Sequence, residues 1–272
     1  MNKTRIGIDA GGTLVKVAYQ EEDQIKYQTF PSRKMDEVVS WIYDSFANHK
    51  ICVTGGKNQV LANKLNFPVE TMVEFDATSR GVGFLARQYT LSLGNDFILA
   101  NVGTGTSIHY VMDGEQQRIG GTGVGGGTLL GLSYLLTGKI DFNEIVQGSN
   151  DGNRENVDLK VKEIFEGVAP PISGDLTASN FGKIGSLIQE KPSTSDMLAS
   201  IIGLIGETVV TICCQAAHRY HTNSIVYIGS TFRSNPLLKN IIEEYTILRE
   251  KRPFFLEDGE FSGAIGALLT LN

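Results

Sequence analysis

Near the start of the chain, Asp9-Ala10-Gly11-Gly12-Thr13 stands between two short aliphatic runs, with Lys16 three residues beyond it. Glycines at a strand end let backbone N–H groups approach an anion closely, because no Cβ intervenes. Gly11, Gly12 and Thr13 can therefore wrap polyphosphate oxygens. Asp9 sits where a hydrated Mg²⁺ bridging those oxygens needs a carboxylate, and Lys16 adds a point charge. The same residues also suit a plain hairpin whose Asp and Gly serve turn geometry alone. A second stretch, Asn101-Val102-Gly103-Thr104-Gly105-Thr106, repeats the pattern with a turn one residue longer. Two opposed anion-binding hairpins are what a γ-phosphoryl group needs while it moves.

Other phosphate motifs fit less well. No GxxxxGK[ST] occurs, and Gly121-Thr122-Gly123-Val124-Gly125-Gly126 matches GxGxxG without the second apolar strand that should close a dinucleotide-binding unit, since residues 141–160 are polar. Gly125, Gly126 and Gly127 instead read as a helix N-terminus that carries nucleotide phosphate or ribose. The base for an attacking hydroxyl is assigned to Glu74, at the lip where a strand over 71–75 gives way to a helix over 76–89. A solvated strand-end glutamate is the plainer account of it, and Asp76 competes for the role but has a ready task as helix cap. Arg118, just before the glycine loop, can hold a substrate carboxylate bidentately or simply be an exposed hairpin arginine. His218 and His221 lack a third ligand and read as partners of a helix C-terminus. No GxSxG is present.

These residues need elements to position them. Short apolar runs at 6–9, 14–19 and 25–30 predict a β-meander, followed by a helix around 35–43, a buried strand at 51–54 and a helix over 58–65. From Phe97 the same grammar restarts with two strands, an Asp113-Gly114 hairpin and a third strand around 116–119. The polar stretch 141–195 predicts short helices and loops. A long helix over 197–220, a strand at 224–230, a helix over 236–245, a strand at 253–256 and a last helix from Ser262 follow. This alternation points to an α/β fold, and the restart to a duplicated domain with a cleft between the copies.

The bulk properties agree with that reading. At 272 residues, with 41% hydrophobic and 20% charged positions, the chain can bury a core as two modest domains or one large one. A net charge of −6 offers no attraction to nucleic acid or an anionic membrane. Cys52, Cys213 and Cys214 form no ligand spacing and fit a reducing cytoplasm. The N-terminus enters a strand pattern too soon for a signal peptide. The apolar segment 197–217 is interrupted by Ser200, Gly203, Gly206, Glu207, Thr208 and Thr211 and reads as a buried helix, not a membrane span.

In order along the chain, DAGGTLVK, VEFDA, NVGTGTS, RIGGTGVGGGTLLGL, GDLTASNFG, IVYIGS and GAIGAL resemble type II pantothenate kinase, particularly its short staphylococcal and bacillary form. The resemblance implies the fold of the acetate and sugar kinase/Hsp70/actin superfamily: an α/β, actin-like ATPase fold with two RNase H-like domains around a nucleotide cleft. Residues 1–93 and 94–272 would be the two domains, with the last helix packing back on the first. It also implies a homodimer that phosphorylates pantothenate with ATP and Mg²⁺. Carried over residue by residue, Asp9, Ala10, Gly11, Gly12, Thr13, Leu14, Val15 and Lys16 would lie on the ATP phosphates and Mg²⁺, with Glu74 as general base. Thr104, Gly126, Gly127, Thr128, Leu129, Leu130, Phe142 and Ser230 would contact nucleotide. Arg118 and Thr177 would face pantothenate, and Tyr245 would reach into the partner subunit's channel. The spare apolar surface of the 197–220 helix is expected at the dimer interface. Rival readings on the same fold are a sugar or amino-sugar kinase, an actin- or chaperone-like ATPase, and the ATPase activator of a radical dehydratase. A sugar kinase would normally use an aspartate base, a chaperone would be longer, and an activator needs cluster-binding cysteines that Cys213-Cys214 do not supply.

Overall fold

The computed structural model describes residues 5–22, 24–46, 50–88, 93–94, 96–165, 167–185 and 191–271. The first half comprises β1 (Arg5–Ala10), β2 (Leu14–Glu21), β3 (Gln24–Pro31), α1 (Met35–Phe46), β4 (Lys50–Thr54), α2 (Asn58–Lys64), β5 (Glu70–Thr71) and α3 (Glu74–Gln88). The second runs β6 (Asp96–Val102), β7 (Thr106–Met112), β8 (Glu115–Thr122), α4 (Gly126–Thr137), α5 (Phe142–Ser149), β9 (Leu159–Lys160), α6 (Val161–Ile164) and β10 (Thr177–Ser179). It ends with α7 (Thr194–Arg219), β11 (Ser224–Ile228), α8 (Pro236–Leu248), β12 (Arg252–Phe255) and α9 (Ser262–Leu268).

The two five-stranded sheets have the same plan. One runs β3-β2-β1-β4-β5, and the other, read from its meander edge, β8-β7-β6-β11-β12. In both, the first three strands are antiparallel neighbours and the last two join in parallel.

Alternation along the strands divides the apolar residues among three main cores and a small fourth cluster of Cys52, Ala267 and Leu271. Ile6, Ile8 and Ala10 of β1 point to α1 and the N-terminal core. On β6, Ile98, Ala100 and Val102 face the core built on α7, whereas Phe97 and Leu99 face a middle layer with Val82 and Leu85 of α3 and Ile265 and Leu268 of α9. The last helix therefore lies between the sheets, against α3, β1 and β4. It comes so close to β1 that a Cβ on Gly7 would sit 2.0 Å from the Ala264 carbonyl oxygen.

Several starts and stops have a visible cause. Asp141 accepts from the Asn143 and Glu144 amides at the start of α5, Ser193 caps α7 through the Asp196 amide, and Asn235 caps α8 ahead of Pro236. α7 is long and apolar enough to cross a bilayer by length and composition, yet 78% of its most apolar window is buried in the chain itself, against α4, α5 and α8.

The structure differs from the sequence expectation around Glu74. β5 is only Glu70–Thr71, and α3 starts at Glu74, so Asp76 lies inside the first turn and is not the cap. The Ala77 amide donates to the Val73 carbonyl, and two carboxylates in a first turn suit the positive end of a helix. The helix end expected at Tyr89 lies outside the described residues.

Candidate active site: two hairpins across a cleft

The β1–β2 and β6–β7 hairpins turn toward each other, and their tips touch: Thr13 Oγ1 and Thr104 Oγ1 are 2.8 Å apart. Around that contact lies a cavity of about 390 Å³ lined by both turns and by Asp9, Lys16, Glu74, Asn101 and Ser107, among others. A second cavity of about 230 Å³ continues past the same turns to Gly126, Gly127, Leu130, Phe142 and Ser230. Thr13, Leu14, Gly103, Thr104 and Ser230 line both, so the two form one elongated trough. A polar end that leads to a smaller end with Leu130 and Phe142 has the chemistry for a nucleotide, phosphates first and base last.

The polar end holds an ordered set of charges. Asp9 closes β1 opposite Lys16 in the strand register, and Lys16 Nζ lies 3.5 Å from Asp9 Oδ2, with both side chains mostly buried. Glu74 enters from the first turn of α3. Desolvation against the cleft wall pushes its carboxyl above the ordinary glutamate value, the Asp9 carboxylate pushes it further, and Lys16 opposes both. A carboxyl raised in this way is a better proton acceptor than an ordinary surface glutamate.

The remaining predicted residues fall into four groups. The side chains of Ala10, Val15 and Leu129 are fully buried in cores, so only their backbones are available to a ligand. Thr128 closes the start of α4, accepting from the Gly125 amide and donating to the Gly123 carbonyl. Arg118 is exposed on β8, opposite His109, with no ion-pair or hydrogen-bond partner among the described residues. Thr177 and Tyr245 are brought together, hydroxyl to hydroxyl at 3.1 Å, but neither lines the trough. Their hydroxyls belong to a separate polar cluster on α7, where Thr177 donates to Glu207, which also pairs with Arg154.

The start of α4 works differently from the sequence expectation. The Gly126 and Gly127 amides, read as donors to a ligand, donate to the Gly103 and Thr104 carbonyls at 2.8 Å each. The helix N-terminus thus braces the second hairpin. Close approach makes the glycines necessary: a Cβ on Gly125 would lie 2.9 Å from Gly105 backbone atoms, and one on Gly126 2.8 Å from Thr231 Oγ1. Ser107 and Asn101 were not singled out in the sequence although both line the cleft. Their signal was available, because Asn101 and Ser107 pair in β6–β7 just as Asp9 and Lys16 pair in β1–β2.

The fold has solved counterparts at low sequence identity. The chain is similar to component A of (R)-2-hydroxyglutaryl-CoA dehydratase from Acidaminococcus fermentans, with a TM-score of 0.65 and 15% identity over 99% of this chain and 97% of that one. It is also similar to a ROK family glucokinase from Streptomyces griseus, with a TM-score of 0.60 and 11% identity over 98% of each chain. Two sheets of one strand order that meet at paired turns define the actin-like ATPase and sugar kinase fold class, α/β with two units around a cleft. The Fumble family matches residues 5–270. Type II pantothenate kinase of Staphylococcus aureus strain USA300 is 44% identical over 264 residues, 97% of this chain and 98% of that protein, and the protein of the bovine strain RF122/ET3-1 matches equally. The chain belongs to the Fumble family, among the type II pantothenate kinases.

Proposed function

We propose that this protein transfers the γ-phosphoryl group of ATP to the primary hydroxyl of pantothenate, giving 4′-phosphopantothenate and ADP, the first step of coenzyme A synthesis. The observation that carries the reading is the contact of the two hairpin tips over a cavity that a raised-pKa glutamate also lines. Family membership supplies the acceptor, since the relatives are type II pantothenate kinases.

The chemistry needs alignment and charge neutralisation more than covalent help from the protein. The turn amides and Lys16 bind the triphosphate, while Leu130 and Phe142 flank the nucleoside. Glu74 takes the proton of the attacking hydroxyl as its oxygen bonds to the γ-phosphorus and the bond to the ADP oxygen breaks. Its raised pKa suits that transfer, and the product carries the phosphoryl group away. Arg118, exposed and unpaired among the described residues, is the partner for the pantothenate carboxylate.

Among the described residues no three His, Cys, Asp or Glu groups cluster as a metal site. A lone carboxylate nevertheless fits Mg²⁺, which keeps several waters and takes its other ligands from phosphate. Asp9 would hold the ion through water, and the ion would neutralise charge on the phosphates.

We extend the proposal to a cytoplasmic homodimer of two RNase H-like domains per chain, residues 1–93 and 94–272. α7 is already covered within its own chain, but Tyr134, Leu135 and Ile140 at the end of α4 are 56%, 76% and 65% exposed and give a second copy an apolar surface to bury. Thr177 and Tyr245 lie outside the trough of their own chain, so a role on pantothenate is supported only if they serve the partner's cleft. The three buried free cysteines suit a reducing compartment.

A coupled assay of purified protein with ATP and pantothenate, run beside glucose and N-acetylglucosamine, tests the function. ADP release that requires pantothenate is expected. Release with a sugar and none with pantothenate would overturn it.

A further inference from the structure

A turn that binds an anion must present N–H groups and keep its carbonyl oxygens away, because a carbonyl aimed at a phosphate opposes binding. In the β1–β2 turn all four carbonyls from Ala10 to Thr13 are held, and two residues outside the turn hold them. Ser32, just after β3, donates its amide to the Thr13 carbonyl at 2.8 Å and its hydroxyl to the Gly11 carbonyl at 2.7 Å. Lys57, just before α2, donates its amide to the Ala10 carbonyl at 2.8 Å and its Nζ to the Gly12 carbonyl at 2.9 Å. The Gly11 amide is used within the turn, on the Leu14 carbonyl. This leaves the Gly12 and Thr13 amides with no acceptor among the described residues, in a turn that lines the cleft.

The approach of Lys57 depends on the loop before it. Gly55 has φ of +91°, and a Cβ there would lie 2.5 Å from Asp9 Oδ1 and 2.6 Å from the Ala10 oxygen, so only glycine lets the chain pass this close to the end of β1. Ser32 is 5% exposed, which fixes its hydroxyl on one acceptor. Lys57 has no carboxylate partner among the described residues, so its charge remains available to the field at the turn.

We infer that Ser32 and Lys57 are positioning residues for phosphate binding: each uses its backbone and side-chain donors to pin the carbonyls of the first hairpin, and together they leave two amides for the triphosphate. This rests on the ATP-dependent reading above but not on the identity of the acceptor. Their removal should weaken nucleotide binding without touching the acceptor side.

The test uses the full chain with Ser32→Ala, Lys57→Met and Lys57→Arg. Calorimetric titration with a non-hydrolysable ATP analogue, in the absence of acceptor, should show affinity lowered about tenfold by Ser32→Ala and by Lys57→Met, as expected for loss of one buried or charged hydrogen bond. In steady-state assays KM for ATP should rise by a similar factor with KM for pantothenate unchanged, and Lys57→Arg should recover most of the loss. Unchanged nucleotide affinity, or equal rises in both KM values, would overturn the inference. So would a loss confined to Lys57→Met, which would mean that the ammonium binds phosphate directly. Because the titration contains no acceptor, its outcome stands apart from whether pantothenate is the substrate. If Ser32→Ala fails to fold, Lys57→Gln decides in its place: a neutral amide that can still donate to the Gly12 carbonyl should bind the analogue better than Lys57→Met, and an equal loss in both would overturn the inference.

Discussion

The two hairpins occupy equivalent places in sheets of the same strand order, yet they are built for different work. The first carries charge: Asp9 and Lys16 face each other across its strand ends. At the matching pair of the second stand Asn101 and Ser107, both neutral. Their supports differ as well. Side chains and amides of Ser32 and Lys57 hold the first turn, whereas the amides of Gly126 and Gly127 hold the second, with Thr231 Oγ1 adding a bond to the Gly103 carbonyl. Two turns at equivalent places in sheets of one strand order can close on one polyphosphate. The first half supplies a carboxylate and a cation and the second a neutral backbone cradle, which spares the cavity a third carboxylate beside Asp9 and Glu74.

The largest effect should come from the group that only the first half supplies. Glu74→Gln is expected to lower kcat by about 10²- to 10⁴-fold, the range for loss of a general base, with affinity for the ATP analogue unchanged. The variant should not be less stable at neutral pH. A carboxyl whose pKa is raised on folding favours the folded state below its unfolded pKa and loses that contribution as pH rises through the folded value, so an uncharged amide removes a cost at pH 7. Thermal melts and stopped assays at pH 7 check both points.

Exchanging the strand-end residues of the two hairpins sharpens the contrast. Asp9→Asn gives the first hairpin the residue of the second and should lower kcat/KM for ATP about 10- to 100-fold, the scale of a lost charged contact. It should also move the acid limb of the pH–rate profile to lower pH, because the Asp9 carboxylate contributes to holding the Glu74 pKa up. The reverse change, Asn101→Asp, adds a carboxylate to the cavity. A loss on the order of fivefold, or about 1 kcal/mol, is expected in kcat/KM for ATP, with the acid limb displaced upward. Limbs that do not move in opposite directions would show that the two positions are not electrostatic counterparts.

Much of this was legible in the sequence because local chemistry marked it. Asp9-Ala10-Gly11-Gly12-Thr13 and Gly103-Thr104-Gly105 end apolar runs, so period-two patterning and turn composition located both hairpins, and the restart at Phe97 located the second sheet. What escaped depends on contacts between distant segments. Ser32 and Lys57 lie outside any motif, and their value appears only when β3 and β4 bring them to the turn 21 and 45 residues away from their side-chain acceptors. The start of α4 was located, but its amides meet carbonyls that no spacing rule assigns to them. The early start of α3 was missed because Thr71 to Phe75 has strand-like composition, while the first-turn carboxylates and the short pairing of β5 with β4 decided otherwise.

The smallest expected effect lies on the second hairpin, where a neutral histidine stands behind a neutral serine. His109 is 2% exposed on β7, with Nε2 3.1 Å from Ser107 Oγ and Nδ1 3.1 Å from Gln116 Nε2, whose amide also donates to the Phe75 carbonyl. Gln116 Nε2 is a donor, so Nδ1 accepts and Nε2–H points at Ser107; a second ring proton would face a donor. Burial, aided by the Arg118 charge, lowers the pKa from 6.5 to about 4. The unfolded chain therefore takes up a proton that the folded chain refuses, and stability present above pH 6.5 is lost as pH falls toward 4. His109→Gln keeps a neutral polar side chain and should flatten this decline in Tm between pH 6.5 and 4, while changing the melt at pH 8 far less. An unaltered acid slope would assign the loss to other groups. A changed slope with a rise in KM for pantothenate but not for ATP would link the histidine to Ser107 and show that the second hairpin, too, has a side directed at the acceptor.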